Sequence, residues 1–279
     1  MRVQMLGLCR FSYLGMRGYQ VDHDSIEARR GYLYDPNRLA RRWQWFETVA
    51  VPGWLDQTDP DFTLVVMTGP DLPQPWLGRL QELCDGVPQL RLSLVPPLNY
   101  HLQACRAAVA PHVDPEAEVV GHFRHDDDDA VALDYVAQTR ADFSRVEGLW
   151  RAEGKLSLDY GRGLMVEARE GRLRITPRIC HDMGVALTIF LRPEADETAL
   201  HYNHTKLAQW MPRVQVNRRT MFIRSIHCDS DSGDMGPGLP WQPGDGALDA
   251  ILRERFGLRR GDLEDLARRL NPRGAGGAC

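Results

Sequence analysis

Lysine is nearly absent from this 279-residue chain: Lys155 and Lys206 stand alone, so 32 of its 34 basic residues are arginine. Chemistry that needs a lysine nucleophile or Schiff base therefore has two candidates. A surplus of one charge is missing too, since 34 basic residues face 38 acidic ones for a net charge of −4. That balance supplies no overall basic field for a nucleic acid. No run approaches the roughly 20 apolar residues of a membrane span. The opening MRVQMLGLCRFSY is interrupted by Gln4 and Arg10 and lacks a small-residue cleavage site, so it reads as a first strand rather than a signal peptide. A cytoplasmic protein is expected, with peripheral association at a membrane surface left open. The six cysteines contain no CxxC pair, which argues against a zinc site or a disulfide framework and for buried thiols.

What is present is an ordinary globular composition, 43% apolar and 26% charged. At roughly 100–200 residues per domain, the length suits one large domain with a small addition. In the first half, short apolar runs alternate with amphipathic stretches. Strands are expected at Arg2–Leu8, Phe62–Met67, Leu90–Val95 and Val119–Phe123, and helices at Asn37–Ala50, Pro75–Cys84 and Leu98–Ala110. Alternation of this kind implies an α/β fold with a mostly parallel central sheet flanked by helices. The second half reads as mixed β, with strands at Lys155–Asp159, Gly163–Glu167, Leu173–Thr176, Val185–Leu191 and Met221–His227. The organisation expected is a single domain over 1–228, with an α/β part over 1–145 and a mixed-β part over 146–228. A flexible loop follows over 229–246, with Trp241 as an apolar contact. Helices Ala247–Phe256 and Asp262–Leu270 and a disordered tail complete residues 247–279.

The chemistry concentrates in Asp126-Asp127-Asp128-Asp129, directly after an apolar strand. Ligands of parallel sheets gather at the carboxyl ends of strands. Four carboxylates at about 4 Å spacing repel one another unless a cation lies among them. A divalent metal is the obvious partner, and oxygen ligands suit Mg²⁺ or Mn²⁺ with positions left open for phosphate. Alternatively the acids cap a helix over Ala130–Arg140. Asp127-x-Asp129-x-Val131 also fits the nucleophile motif of aspartyl-phosphate phosphatases, although that motif normally ends a first strand. No EF-hand spacing and no P-loop is present. A metal-dependent phosphohydrolase and a non-catalytic ion-binding domain therefore remain alternatives.

Four pieces in order carry a resemblance: Gly7–Tyr13 (GLCRFSY), Gln57–Phe62 (QTDPDF), Phe123–Val131 (FRHDDDDAV) and Met221–Ser232, which begins MFIR. Together they resemble the bacterial rhamnosyltransferase family of GT-A-like glycosyltransferases, over nearly all of the chain to about residue 235. Two places depart from it: His125 stands where an aliphatic residue is expected, and Cys180-His181-Asp182 has no counterpart. The resemblance implies a GT-A-like catalytic domain over 1–228, with 1–145 as its nucleotide-binding half and 146–228 as the half that completes the acceptor and metal sites. It also implies a DxD motif holding a nucleotide-diphosphate sugar through Mn²⁺ or Mg²⁺, with a glycan or other hydroxyl compound as acceptor. Asp126 would reach ribose or sugar and Asp128 the metal, with Asp127 and Asp129 as second choices. His227, or else His204, would complete the metal site. Arg10, Phe11 and Ser12 would contact the nucleotide, while Arg106 and Arg124 would neutralise the pyrophosphate or pair with the acids. Asp182 or Asp159 would serve as general base in an inverting reaction.

Overall fold

The computed structural model describes residues 1–15, 23–97, 100–230, 238–244 and 246–270. Four strands, β1 (Val3–Arg10), β2 (Thr63–Thr68), β3 (Leu90–Leu94) and β4 (Val119–Asp126), lie parallel in the order β3-β2-β1-β4. The connections between them carry α1 (Ile26–Leu33), α2 (Pro36–Trp45), α3 (Pro52–Leu55), α4 (Trp76–Gly86) and α5 (His101–Val109). After β4 come a two-residue strand β5 (Ala130–Val131) and the long helix α6 (Tyr135–Glu153), then β6 (Leu156–Tyr160), β7 (Arg162–Arg169), β8 (Arg172–Cys180) and β9 (Leu187–Leu191). The last elements are β10 (Arg213–Val216), β11 (Phe222–Ile226), β12 (Gly238–Pro240), α7 (Ala247–Phe256) and α8 (Arg260–Leu270).

Seven strands form the main sheet, in the order β10-β6-β9-β4-β1-β2-β3. Within it only β9 runs against its neighbours. The mostly parallel α/β class expected from the sequence is thus the one observed. Three strands of the second half join this main sheet, while β12-β8-β7-β11-β5 form a second, mixed sheet. The apolar runs of β1, β2 and β4 are explained by burial on both faces, as parallel sheets require. Gly7 lets β1 and β4 lie close: a Cβ there would sit 2.0 Å from the Phe123 ring.

Two boundaries bear on the site. Strand β4 continues three residues past its apolar run, through Arg124 and His125 to Asp126. His125 belongs to the core, 2% exposed and edge-on to Trp54 at 5.1 Å, with burial lowering its pKa to about 4. It remains neutral and packs much as an aliphatic residue would. The expected helix over Ala130–Arg140 begins instead at Tyr135, because Ala130 and Val131 pair with β11. Asp129 therefore does not cap a helix.

Helices α7 and α8 share the main apolar core through Leu252, Phe256, Leu263 and Leu266. Trp241 lies on the second sheet, its ring 3.8 Å from the Arg162 guanidinium carbon. Residues 231–237 and 245 of the expected loop, and the tail 271–279, fall outside the described residues. Cys9, Cys84, Cys105 and Cys180 are buried free thiols, as expected, whereas Cys228 is disulfide-bonded. Among the described residues, no helix is long and apolar enough to cross a membrane.

Candidate active site

Strands β1 and β4 end side by side, Arg10 paired in register with Asp126. The Asp126 carboxylate receives Arg124 at 2.9 Å and Arg10 at 3.4 Å, with Arg224 of β11 at 3.5 Å. Burial pushes this carboxyl up, but the three guanidiniums outweigh it and hold its pKa well below the ordinary value.

The next three acids turn away from the strand. Asp127 pairs with Arg42, whose Nε lies 3.4 Å from Oδ2. Asp128 Oδ2 accepts from Arg42 Nη1 and from His227 Nε2, each at 2.9 Å. Burial raises the Asp128 carboxyl, and Arg42 and the His227 bond reverse the shift, leaving it lowered. Asp129 lies deepest, 1% exposed, and accepts from Arg224 and from the Ser225 backbone N–H at 2.9 Å each. Burial raises its pKa to about 7, with Asp128 and Asp126 adding to the shift and Arg224 opposing it. An arginine guanidinium thus lies against each of the four acids.

Local sequence explains how Arg42 gets there. Asp35 caps α2 by accepting from the Arg38 N–H at 2.8 Å, and Pro36 occupies the first turn. Arg38 and Arg42, four apart, then share the helix face that looks toward the acids. His227 follows β11 and stacks on Trp45 at 4.7 Å. Its Nδ1 accepts the Asp229 backbone N–H at 3.2 Å, so the ring's proton is on Nε2 and is donated to Asp128.

These groups border a cleft of about 460 Å³ at the carboxyl ends of the strands. It is lined by six arginines (Arg10, Arg29, Arg38, Arg42, Arg124, Arg224) and four aspartates (Asp126, Asp127, Asp128, Asp229). His101, His201 and His204 also line it, each with its pKa lowered by burial, His101 to about 3. The His204 Nδ1 bonds to the Asp182 carbonyl, which leaves the Nε2 lone pair as that ring's acceptor.

Of the residues singled out from the sequence, Arg10, Ser12, Arg124, Asp126, Asp127, Asp128 and His204 line the cleft, while Asp129 and His227 pack beneath or beside it. Ser12 has a left-handed φ of 45°, and its Oγ accepts from Arg38 at 3.3 Å. Phe11 does not line the cleft. It points to the opposite side and packs in the core on Trp43 and Phe46. Nor does Arg106 line it: the buried face of α5 carries His101, Ala104, Cys105 and Ala108, which turns Arg106 outward to pair with Asp196. Asp159 and Asp182 also lie outside the lining. Asp159 is 2% exposed, its pKa raised to about 7 by burial, and Asp182 pairs with Arg213. Sequence reasoning missed Arg29, Arg38, Arg42, His101 and Asp229 as site residues. The arginine bias of the chain was the one available signal, and it is spread over the whole length.

The residues were tested against the expected Mn²⁺ or Mg²⁺. A metal-binding histidine gives its lone pair to the ion and donates from the other ring nitrogen. His227 has the reverse tautomer toward Asp128, and Arg42 occupies the same carboxylate oxygen. His204 has the suitable tautomer but bonds to no carboxylate. Among the described residues, no three His, Cys, Asp or Glu side chains are grouped to hold a metal ion. The donor set as arranged fits an ion-pair network rather than a metal centre.

The strand ends of this mostly parallel α/β sheet meet in a cleft of buried, paired charges, at the place where such sheets bind ligands. The chain belongs to the glycosyltransferase family described as "Putative rhamnosyl transferase", whose model matches residues 4–238. Similar solved structures include S. aureus TarS residues 1–349 in complex with UDP (11% identity, TM-score 0.40, 81% of this chain and 61% of that one). The same fragment in complex with UDP-GlcNAc matches at 12% identity with a TM-score of 0.39, covering 81% and 59% of the two chains. Full S. aureus TarS matches at 10% identity with a TM-score of 0.38, and this chain spans only 37% of its length. No curated protein matches the sequence.

Proposed function

We propose that the chain transfers a sugar from a nucleoside diphosphate donor to a hydroxyl acceptor such as a glycan, with the donor's diphosphate in the cleft at the ends of β1 and β4. The observation that carries this reading, beside family membership, is the set of six arginines lining that cleft. A diphosphate is the anion that such an array suits, because guanidinium forks match phosphate oxygens in charge and geometry. The family's description makes rhamnose the first donor sugar to try.

In the reaction the acceptor oxygen forms a bond to the anomeric carbon. The bond from that carbon to the diphosphate oxygen breaks, and its electron pair leaves with the diphosphate. The negative charge that grows on the leaving group is stabilised by guanidiniums already fixed by their aspartates, so little reorganisation is needed. The hydroxyl proton goes to His204 Nε2, the lone pair of a neutral ring that Asp182 holds in place through its carbonyl. The cleft aspartates suit that task poorly, since arginines hold Asp126 and Asp128 as weak bases.

The phosphohydrolase alternative is less well supported. Its nucleophile would be Asp127 or Asp129, and these are tied to Arg42 and to Arg224 and the Ser225 N–H. The test is turnover of UDP-, GDP- and dTDP-sugars, dTDP-rhamnose among them, followed by release of nucleoside diphosphate with and without an added glycan. Release from one donor, accelerated by an acceptor, supports the reading. Release of inorganic phosphate from simple esters, with no sugar donor consumed, would overturn it.

A further inference from the structure

We propose that this donor site operates without a divalent metal, the arginines of the cleft doing for the diphosphate what Mn²⁺ or Mg²⁺ would otherwise do. This rests on the donor reading above and adds to it the nature of the counter-charge.

Three independent features carry it. The first is that every acid of the run is already committed: Asp126 to Arg124 and Arg10, Asp127 and Asp128 to Arg42, and Asp129 to Arg224. A metal at Asp128 Oδ2 would have to compete with both Arg42 and His227, and displacing Arg42 would leave that guanidinium, only 8% exposed as a residue, with one fewer partner. Removing one partner from a buried pair is costly, because the remaining charge has already lost its water.

The second feature is the His227 tautomer. For Nε2 to bind a metal, the ring proton would have to move to Nδ1, where it would meet the Asp229 backbone N–H, donor against donor. A backbone amide cannot change its role, so the tautomer is set by the fold rather than by the ligand.

The third is charge balance in the cleft. Among the described residues of the lining, six arginines face four aspartates, an excess of two positive charges, which matches the two negative charges of a nucleotide-sugar diphosphate. A divalent ion added to this lining would double the excess. Among the described residues, the Nε of Arg38, buried in the wall of the same cleft, has no hydrogen-bond partner. A buried donor of this kind is an expensive thing to leave unmatched, and an anionic oxygen in the cleft would satisfy it.

The experiment is calorimetric titration of UDP, GDP and dTDP into chelator-treated protein, repeated with excess MnCl₂ and with MgCl₂. One nucleotide should bind in the presence of EDTA, and either metal should change its dissociation constant by less than about threefold. Arg38→Gln should weaken that binding by about tenfold or more, with no recovery on adding Mn²⁺. Arg10→Gln, at a more exposed position, should do the same if Arg38→Gln fails to fold. The paramagnetic resonance signal of Mn²⁺ should be that of the free ion when protein is added with and without the nucleotide in EDTA-free buffer, after correction for nucleotide-bound metal. Binding abolished by EDTA and restored by Mn²⁺ would overturn the metal-free proposal and leave the donor reading standing. No binding of any nucleotide under any condition would overturn both.

Discussion

Arg224 on β11 and Asp129 beyond β4 meet at 2.9 Å across 95 residues of chain, and the acid is 1% exposed. The pair joins the second sheet to the end of the first and fixes the depth at which the acidic run sits. Its removal is the most direct test of what the run does structurally. Asp129→Ala should cost about 3–5 kcal/mol, the range for leaving one member of a buried pair uncompensated. Urea unfolding followed by tryptophan fluorescence would measure it, and a loss under 1 kcal/mol would show that the acid is dispensable to the fold.

Arg124 is a gentler site, partly exposed, its guanidinium bonded to Asp126 at 2.9 Å. Arg124→Gln should weaken nucleoside diphosphate binding by about 10–100-fold, the worth of a charge-assisted hydrogen bond, with thermal stability nearly unchanged. Equal affinities in wild type and variant would place the diphosphate elsewhere.

If His204 takes the acceptor's proton, the rate must fall when that ring is protonated. Its pKa is lowered below the ordinary 6.5, burial being the main cause with Arg124 adding to it. Transfer should therefore stay level through neutral pH and decline only on the acid side of 6.5. His204→Ala should lose about 10²–10⁴ in kcat and lose that acid limb with it. A variant that keeps the limb assigns the base to another group.

Asp159 carries a pH signature separate from activity. Burial, with the like charge of Asp182 adding to it, outweighs Arg213, the Tyr160 backbone bond and His181 and raises its pKa from 3.8 to about 7. A group whose folded pKa is raised gives stability that is complete below its unfolded pKa and lost as pH climbs to the folded one. Wild type should therefore lose stability on this account between about pH 4 and pH 7, by a few kcal/mol at most. Asp159→Asn should remove that slope, melting higher than wild type at pH 8 and at about the same temperature at pH 4. Parallel melting curves against pH for the two proteins would contradict the assignment.

The close approach of β1 to β4 at Gly7 gives a steric prediction. Gly7→Ala would drive a methyl to within 2.0 Å of the Phe123 ring unless the strands part, so a loss of about 1–3 kcal/mol or more is expected. A fully stable alanine variant, measured by denaturant titration, would mean that the register of these strands differs.

The sequence made some of this legible and hid the rest for physical reasons. Strands β1 to β4 were visible because burial on both faces leaves continuous apolar runs, and α2, α4, α5 and α7 because one face of each repeats at helical spacing. Helix α1 went unseen, since Ile26–Leu33 buries only Arg29 and Leu33 and has little apolar periodicity. The end of β4 was misjudged because Arg124 and His125 look like a turn, although His125 packs in the core. At the site, the acids announced themselves by being adjacent. Their partners did not, because Arg42 lies on an amphipathic helix more than 80 residues away and looks there like any solvated arginine. Repulsion among the acids calls for positive charge nearby, and sequence spacing carries no mark of the distant arginines that lie against them.

Helix α8 lies beyond residue 238, where the family match ends, yet it packs against α2, the helix that carries Arg38 and Arg42. Arg255 of α7 likewise grips Asp134, just ahead of α6, through two hydrogen bonds of 2.9 and 2.6 Å. Helix α8 thus braces α2 from behind, while α7 anchors the turn ahead of α6. Divergence in this terminal segment would reach the active site as a change in the pose of α2, with every residue that touches the ligand left identical.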